Sequence, residues 1–139
     1  MHTRAQKPDL RILIAEDNVS TRKGLKRLLE LESDMEVVAE TGNGREAVVL
    51  ARQHQPCSIV MDIGMPELSG IEATRQILTS LPNTKVLIIS CCADDFTIEE
   101  ALSSGAHGYI SKAGSLLEVP AALRVLRGGE TYFGTVPPV

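Results

Sequence analysis

Short apolar runs alternate with amphipathic stretches along this chain. The apolar runs are Leu10–Ala15, Glu36–Ala39, Ser58–Met61, Lys85–Ser90 and Gly108–Ile110. Between them, Leu25, Leu28 and Leu29 fall on one helical face, with Lys23, Lys26, Arg27 and Glu30 elsewhere. Ala47, Leu50 and Ala51 repeat that spacing, as do Ile71, Thr74, Ile77, Leu78 and Leu81. Phe96, Ile98, Ala101 and Leu102 are less regular, and Leu123, Val125 and Leu126 close the series. Punctuation falls between these elements, at Gly42, Gly44, Pro56, Gly70, Pro82-Asn83, Gly105 and Gly128-Gly129. Five βα units in this rhythm predict an α/β fold, a doubly wound five-stranded parallel sheet with five helices.

One local conflict stands out. Ser115 to Glu118 reads as a capping box opening the last helix. Pro120 then lies past the first helical position, where it lacks a donor and crowds the preceding turn. The last helix is therefore expected to start nearer Pro120, or to begin with a distorted turn. Thr135 to Val139 reads as an extended linker.

Composition narrows the class. At 139 residues with 43% hydrophobic positions, the chain has one domain's length and enough apolar content for a core. No apolar run approaches membrane-spanning length, and the start, MHTRAQKPD, lacks a signal peptide's apolar stretch, so the cytoplasm is the default location. A formal charge of −4 argues against nucleic-acid binding by this segment alone. Cys57, Cys91 and Cys92 form no CxxC pair and no metal-finger spacing. Cys57 reads as a small core residue; a redox role for Cys91 and Cys92 is the minor alternative.

The chemistry gathers where strands end. Ile59-Val60-Met61 looks like a strand buried on both faces, yet it runs into Asp62, with Gly64 and Pro66 forcing a turn at once. In a doubly wound sheet, functional groups collect beyond the carboxyl ends of the strands. The first strand ends in Ala15-Glu16-Asp17-Asn18, the fourth in Ser90, and the fifth runs through Tyr109 to Ser111-Lys112. Carboxylates about 5 Å apart repel by roughly 3 kcal/mol at an effective dielectric near 20, a cost that a divalent cation removes. Two or three acids plus waters suit magnesium, and Lys112 can neutralise phosphoryl oxygens. Plainer readings exist for each residue. Asp17 and Asn18 can cap the next helix, Asp62 can be a turn residue, Ser90 can bond its own backbone, and Lys112 can be a solvated surface lysine. Their coincidence on four strand ends favours a phosphoryl-aspartate site.

The motifs AEDN at 15–18, MDIGMPELSGIEA at 61–73, VLIIS at 86–90 and GAHGYISKA at 105–113 resemble the receiver domain of two-component response regulators. GAHGYISK and ALRVLRGGETYF at 122–133 are most similar to the NarL/FixJ subfamily, whose full-length members carry a LuxR-type DNA-binding domain. The resemblance implies a flavodoxin-like receiver at 10–130, an extension at 1–9 and the start of an interdomain linker at 131–139, with the output domain absent. It implies Asp62 as phosphoacceptor from a sensor histidine kinase, with magnesium held by Glu16, Asp17, Asp62 and the carbonyl of Gly64. Ser90 and Tyr109 resemble the switch pair, and Lys112 the phosphate-contacting lysine.

Three departures accompany the resemblance. Glu16 replaces the commoner aspartate, so its longer arm is expected to reach the metal through water. Ala113 stands where many receivers have proline, so no cis bond is expected there. Cys91 occupies a usually smaller position beside the acceptor. A homodimer on phosphorylation has two surfaces open to it, the fourth helix with the fifth strand and last helix, or the first helix with the last. The resemblance favours the second, with Glu30, Glu118 and Leu126 as acidic or apolar neighbours to the basic Arg22, Lys23, Lys26, Arg27, Arg124 and Arg127. Two other readings compete: a degenerate receiver that acts only as an interaction module, and an aspartate-nucleophile phosphatase. The latter needs a second acid two residues after the nucleophile, where this chain has Gly64.

Overall fold

The computed structural model describes residues 9–91 and 94–133. The expectations for Cys92 and for Thr135 to Val139 lie outside that range. Strand β1 (Leu10–Ala15) leads to helix α1 (Val19–Glu30), then β2 (Met35–Thr41), α2 (Gly44–His54), β3 (Ser58–Asp62) and α3 (Gly70–Ser80). There follow β4 (Lys85–Ser90), α4 (Asp95–Ser103), β5 (Gly108–Ser111), a 3-10 turn (Leu116–Glu118), α5 (Val119–Arg127) and β6 (Tyr132–Phe133).

The strands pair in the order β2-β1-β3-β4-β5-β6, all parallel. The order reverses between β1 and β3, which opens a crevice beyond their carboxyl ends. Side chains alternate between two buried layers. Leu13, Ile59, Met61, Val86, Ile88 and Tyr109 meet Ala47, Ala51, Ala73 and Ile77 of α2 and α3 on one face. Ile12, Ile14, Val60, Leu87 and Ile89 meet Leu25 and Leu29 of α1 and Leu123 and Leu126 of α5 on the other. Burial on both faces explains why these strands read as unbroken apolar runs.

Helix starts follow their caps. The side chains of Asn18, Asn43, Ser69 and Asp94 each accept a backbone N–H from the first turn of α1, α2, α3 and α4. At α5 the conflict over Pro120 resolves as a distorted start. Ser115 Oγ accepts from Leu117 N at 3.1 Å, a 3-10 turn follows, and Pro120 falls in the first positions of the α-helix, where its missing N–H costs nothing.

Among the described residues the sheet has six strands, one more than the sequence pattern predicts. Tyr132 and Phe133, expected in a linker, pair with Gly108 and Tyr109 of β5. Tyr132 N donates to His107 O at 3.1 Å, and the Tyr132 hydroxyl donates to Glu118 Oε1 at 3.1 Å. Two residues are too few for any periodicity to announce them. Gly108 makes this pairing possible, because a Cβ there would sit 2.6 Å from Tyr132 O.

Two other expectations are corrected. Cys57 is exposed, not core: it precedes the first buried residue of β3 and lies outside both layers. Leu126 is completely buried in the layer beneath α5, so it has no surface to offer a second copy. The basic residues of α1 and α5 are also less free than their count suggests. Arg22 and Lys26 pair with Glu40, Arg127 with Asp9, and Arg124 with both Asp34 and Glu32, at 2.7 and 2.5 Å. The Arg124 fork ties α5 to the turn between α1 and β2.

Gly108→Ala should therefore push β6 away from β5. The expected result is a loss of about 1–2 kcal/mol on unfolding, typical of overpacking at a tight contact. The Tyr132 amide should also lose hydrogen-exchange protection, and unchanged protection would contradict this account of the sixth strand.

Candidate functional site

Asp62 is the last residue of β3, and its neighbours hold it there by close packing. Gly70 opens α3 against the Asp62 backbone so tightly that a Cβ would lie 1.9 Å from Asp62 O. Gly70 N donates to Ile63 O at 2.9 Å, and Glu67 takes a left-handed conformation, φ 67°, to close the intervening turn. Ser69, not Asp62, caps α3, so the turn-and-cap reading of Asp62 has no bond to support it. Asp62 is 5% exposed at the bottom of the crevice.

Glu16 enters from the end of β1 and is fully buried. Its Oε2 accepts from Asn18 N at 3.0 Å, and its amide donates to Thr41 O at 2.8 Å. Asp17 is exposed beside it and free of capping duty, since Asn18 caps α1. Oxygens of Glu16, Asp17 and Asp62 lie within 4.8 Å of one another.

Lys112 follows β5, where its N–H extends the ladder to Ser90 O at 2.7 Å. Its Nζ lies 2.6 Å from Glu16 Oε1 and 3.2 Å from Asp62 Oδ1. The approach to Glu16 is an ion pair without hydrogen-bond alignment, so Oε1 stays without an aligned donor. The surface-lysine reading of Lys112 is set aside: its side chain is 21% exposed and spans two carboxylates. Ser90 is buried at the end of β4 and Tyr109 is completely buried in the layer with Met61 and Ile88. Gly64 and Cys91 are exposed at the rim.

The electrostatics follow from burial. Desolvation, reinforced by the Glu16 charge, pushes the Asp62 carboxyl up to about 6, against the pull of Lys112. Burial disfavours the Lys112 ammonium, but Glu16 and Asp62 outweigh it and raise the group above the ordinary lysine value. An all-oxygen donor set of three clustered carboxylates with an exposed member for access fits a hard divalent cation.

Sequence reasoning missed the second ring of this site. Arg22 Nη1 donates to Glu16 O at 2.7 Å. Asn43 Nδ2 donates to Glu67 Oε2, and a Cβ on Gly44 would sit 1.8 Å from Leu68 O, so the β2–α2 corner is pressed against the turn after β3. A basic residue on an amphipathic helix gives no sequence signal for such a role.

This fold and crevice define a class, and comparison with known proteins agrees. The response regulator receiver domain family matches residues 12–124, and the chain belongs to that family. It is 36% identical over 130 residues to the transcriptional regulatory protein YxjL of Bacillus subtilis, covering 94% of this chain and 60% of that protein. It is likewise 36% identical over 135 residues to the transcriptional regulatory protein DegU of Brevibacillus brevis, covering 95% of this chain and 56% of that one. The chain thus spans a little over half the length of these curated relatives. Among solved structures, a LuxR-family two-component response regulator from Aurantimonas sp. SI85-9A1 superposes with a TM-score of 0.85 at 31% identity, covering 92% of this chain and 90% of that one.

The raised Asp62 value has a stability consequence. Asp62 holds its proton more tightly folded than unfolded, so its contribution is fully present below about pH 4 and is lost as pH rises through about 6. In a chelator, Asp62→Asn should exceed the wild type in unfolding free energy by on the order of 2 kcal/mol at pH 7. That gap should close towards pH 4. Urea unfolding of both proteins across this range checks it, and a mutant no more stable at pH 7 would contradict the assigned burial and repulsion.

Proposed function

We propose that this chain is the phosphoacceptor switch of a transcriptional response regulator, with Asp62 as the acceptor. The observation that carries the reading is Lys112 Nζ between Glu16 and Asp62, with three carboxylates clustered at the crevice where strand order reverses. The phosphodonor is a phosphohistidine on a sensor kinase. The Asp62 carboxylate attacks phosphorus, the P–N bond breaks, and the imidazole departs as an acyl phosphate forms on Asp62. Although burial and the Glu16 charge push it up to about 6, the Asp62 carboxyl is mostly the nucleophilic anion at pH 7.

Glu16, Asp17, Asp62 and the Gly64 carbonyl are the groups that would hold magnesium. Glu16 spends Oε2 on Asn18 N and holds Oε1 2.6 Å from Lys112 Nζ, which favours contact through water rather than direct ligation. Bound magnesium supplies charge neutralisation for the carboxylates and the incoming phosphoryl oxygens. Lys112 adds a positive charge that its two carboxylate partners keep protonated. The same site assists loss of the phosphoryl group to water, and the domain turns over no other substrate.

Ser90 and Tyr109 form the switch of this proposal. Tyr109 is already packed inside, so phosphorylation acts by holding that arrangement through a bond from Ser90 to a phosphoryl oxygen, a shift between two discrete packings. Residues 10–133, with β6 as the last strand, are the receiver, and a linker to a DNA-binding output domain starts after it. Among the described residues no helix is long and apolar enough to cross a membrane, in keeping with action in the cytoplasm. Phosphorylated copies pair through α1 and α5, with exposed Leu31 just past α1 and exposed Leu117 in the turn before α5 in place of the buried Leu126.

Acetyl phosphate with magnesium should add one phosphoryl mass to the intact chain. Asp62→Asn should abolish the gain and Asp17→Ala should nearly do so; labelling of Asp62→Asn at the wild-type rate would refute the acceptor. Ser90→Ala should still take up phosphoryl while losing the change in the Tyr109 ring signals. Identical spectra for the phosphorylated mutant and wild type would remove Ser90 from the switch.

A further inference from the structure

Only Glu16, Asp17 and Asn18 lie between β1 and α1, and two of them are the acids of the proposed site. So short a connection has little internal hydrogen bonding to hold its shape. Apart from Asn18 N donating to Glu16 Oε2 at 3.0 Å, its anchors come from outside. Glu16 N donates to Thr41 O at 2.8 Å, and Arg22, one turn into α1, donates from Nη1 to Glu16 O at 2.7 Å. Arg22 Nε donates to Glu40 Oε1 at 3.3 Å, while Lys26 Nζ pairs with Glu40 Oε2 at 3.0 Å. The guanidinium is thus fixed at both ends of its fork, between a carboxylate on β2 and the carbonyl of the buried acid. Gly42 clears the path: a Cβ there would meet Arg22 Nη1 at 2.8 Å and Asp17 Cα at 3.2 Å.

We propose that Arg22, oriented by Glu40, is a positioning residue that holds the Glu16 carbonyl and so sets the directions of the Glu16 and Asp17 carboxylates for a divalent cation. The proposal rests on reading those two acids as magnesium ligands. Its sign is the opposite of what charge alone dictates. A guanidinium beside an acidic site repels a second cation, so deleting it strengthens binding if Arg22 acts only through its field. Glu40 offsets that field, which leaves the directional bond to Glu16 O as what Arg22 contributes. Deleting the bond frees the main chain between β1 and α1, and cation binding weakens.

Magnesium titration of the full chain, followed by amide chemical shifts, separates the two. Arg22→Met should weaken magnesium binding about tenfold. Arg22→Lys should fall between, since an ammonium can meet Glu40 or the carbonyl but lacks the fork to hold both. Arg124→Met, which breaks the clamp on Glu32 and Asp34 at the far side of α1, should leave the magnesium affinity unchanged and so accounts for general loosening of the fold. Native-like spectra of Arg22→Lys keep the test valid if Arg22→Met does not fold. Unchanged or tighter binding in a folded Arg22 variant, with binding lost in Asp17→Asn, would overturn the role of Arg22 and leave the site standing. Wild-type affinity in Asp17→Asn would overturn the site reading and the proposal together.

Discussion

Two buried carboxylates sharing one ammonium group govern this structure. Burying an acid without a partner costs several kcal/mol, and Glu16 and Asp62 are both withdrawn from water. Lys112 reaches both and offsets part of their mutual repulsion. With Asp17 at the rim, three carboxylates and one ammonium leave a net charge of minus two, the complement of a divalent cation. Desolvation and like charge are why the Asp62 carboxyl rises to about 6. Tension of this kind suits a domain whose chemistry adds a phosphoryl group and needs its charges balanced afresh in each state.

The frame holds that tension by fitting backbones together at glycines. Gly70 lets α3 begin against the Asp62 carbonyl, and Gly44 lets α2 begin against Leu68. Neither position tolerates even a methyl group without a shift of main chain, so the loop after β3 is packed directly against both α3 and the β2–α2 corner. The corner also reaches β1, through Thr41 O and the Arg22–Glu40 pair. Acids from two different strands are thereby indexed to one another by main-chain contacts, which is what a site needing a fixed carboxylate spacing requires.

Much of this was legible in the sequence, and for a physical reason. A parallel sheet puts every strand's carboxyl end along one edge, so Glu16, Asp17, Asp62, Ser90 and Lys112 converge once five strands are recognised. The runs of β1, β3 and β4 were recognisable because burial on two faces leaves their centres apolar, while β2, at the sheet edge, carries Glu36 and Glu40. What stayed hidden depends on contacts, not on period. Tyr132 and Phe133 form a strand because Gly108 leaves room beside β5. Leu126 looks available on a short amphipathic helix, yet α5 turns it into the core beside Leu123. Cys57 lies one residue before the buried strand and misses the core by that one step. Arg22 reads as surface charge, and only the fold brings Glu16 O to its guanidinium.

The central claim is that Asp62 itself becomes the acyl phosphate, and chemical trapping tests it most directly. Borohydride reduces an acyl phosphate, but not a free carboxylate, to the alcohol. The chain phosphorylated with magnesium present, then reduced and digested, should yield homoserine in place of aspartate at position 62 and nowhere else. Homoserine at another aspartate, or phosphoryl that survives borohydride on a serine, threonine or histidine, would contradict the account.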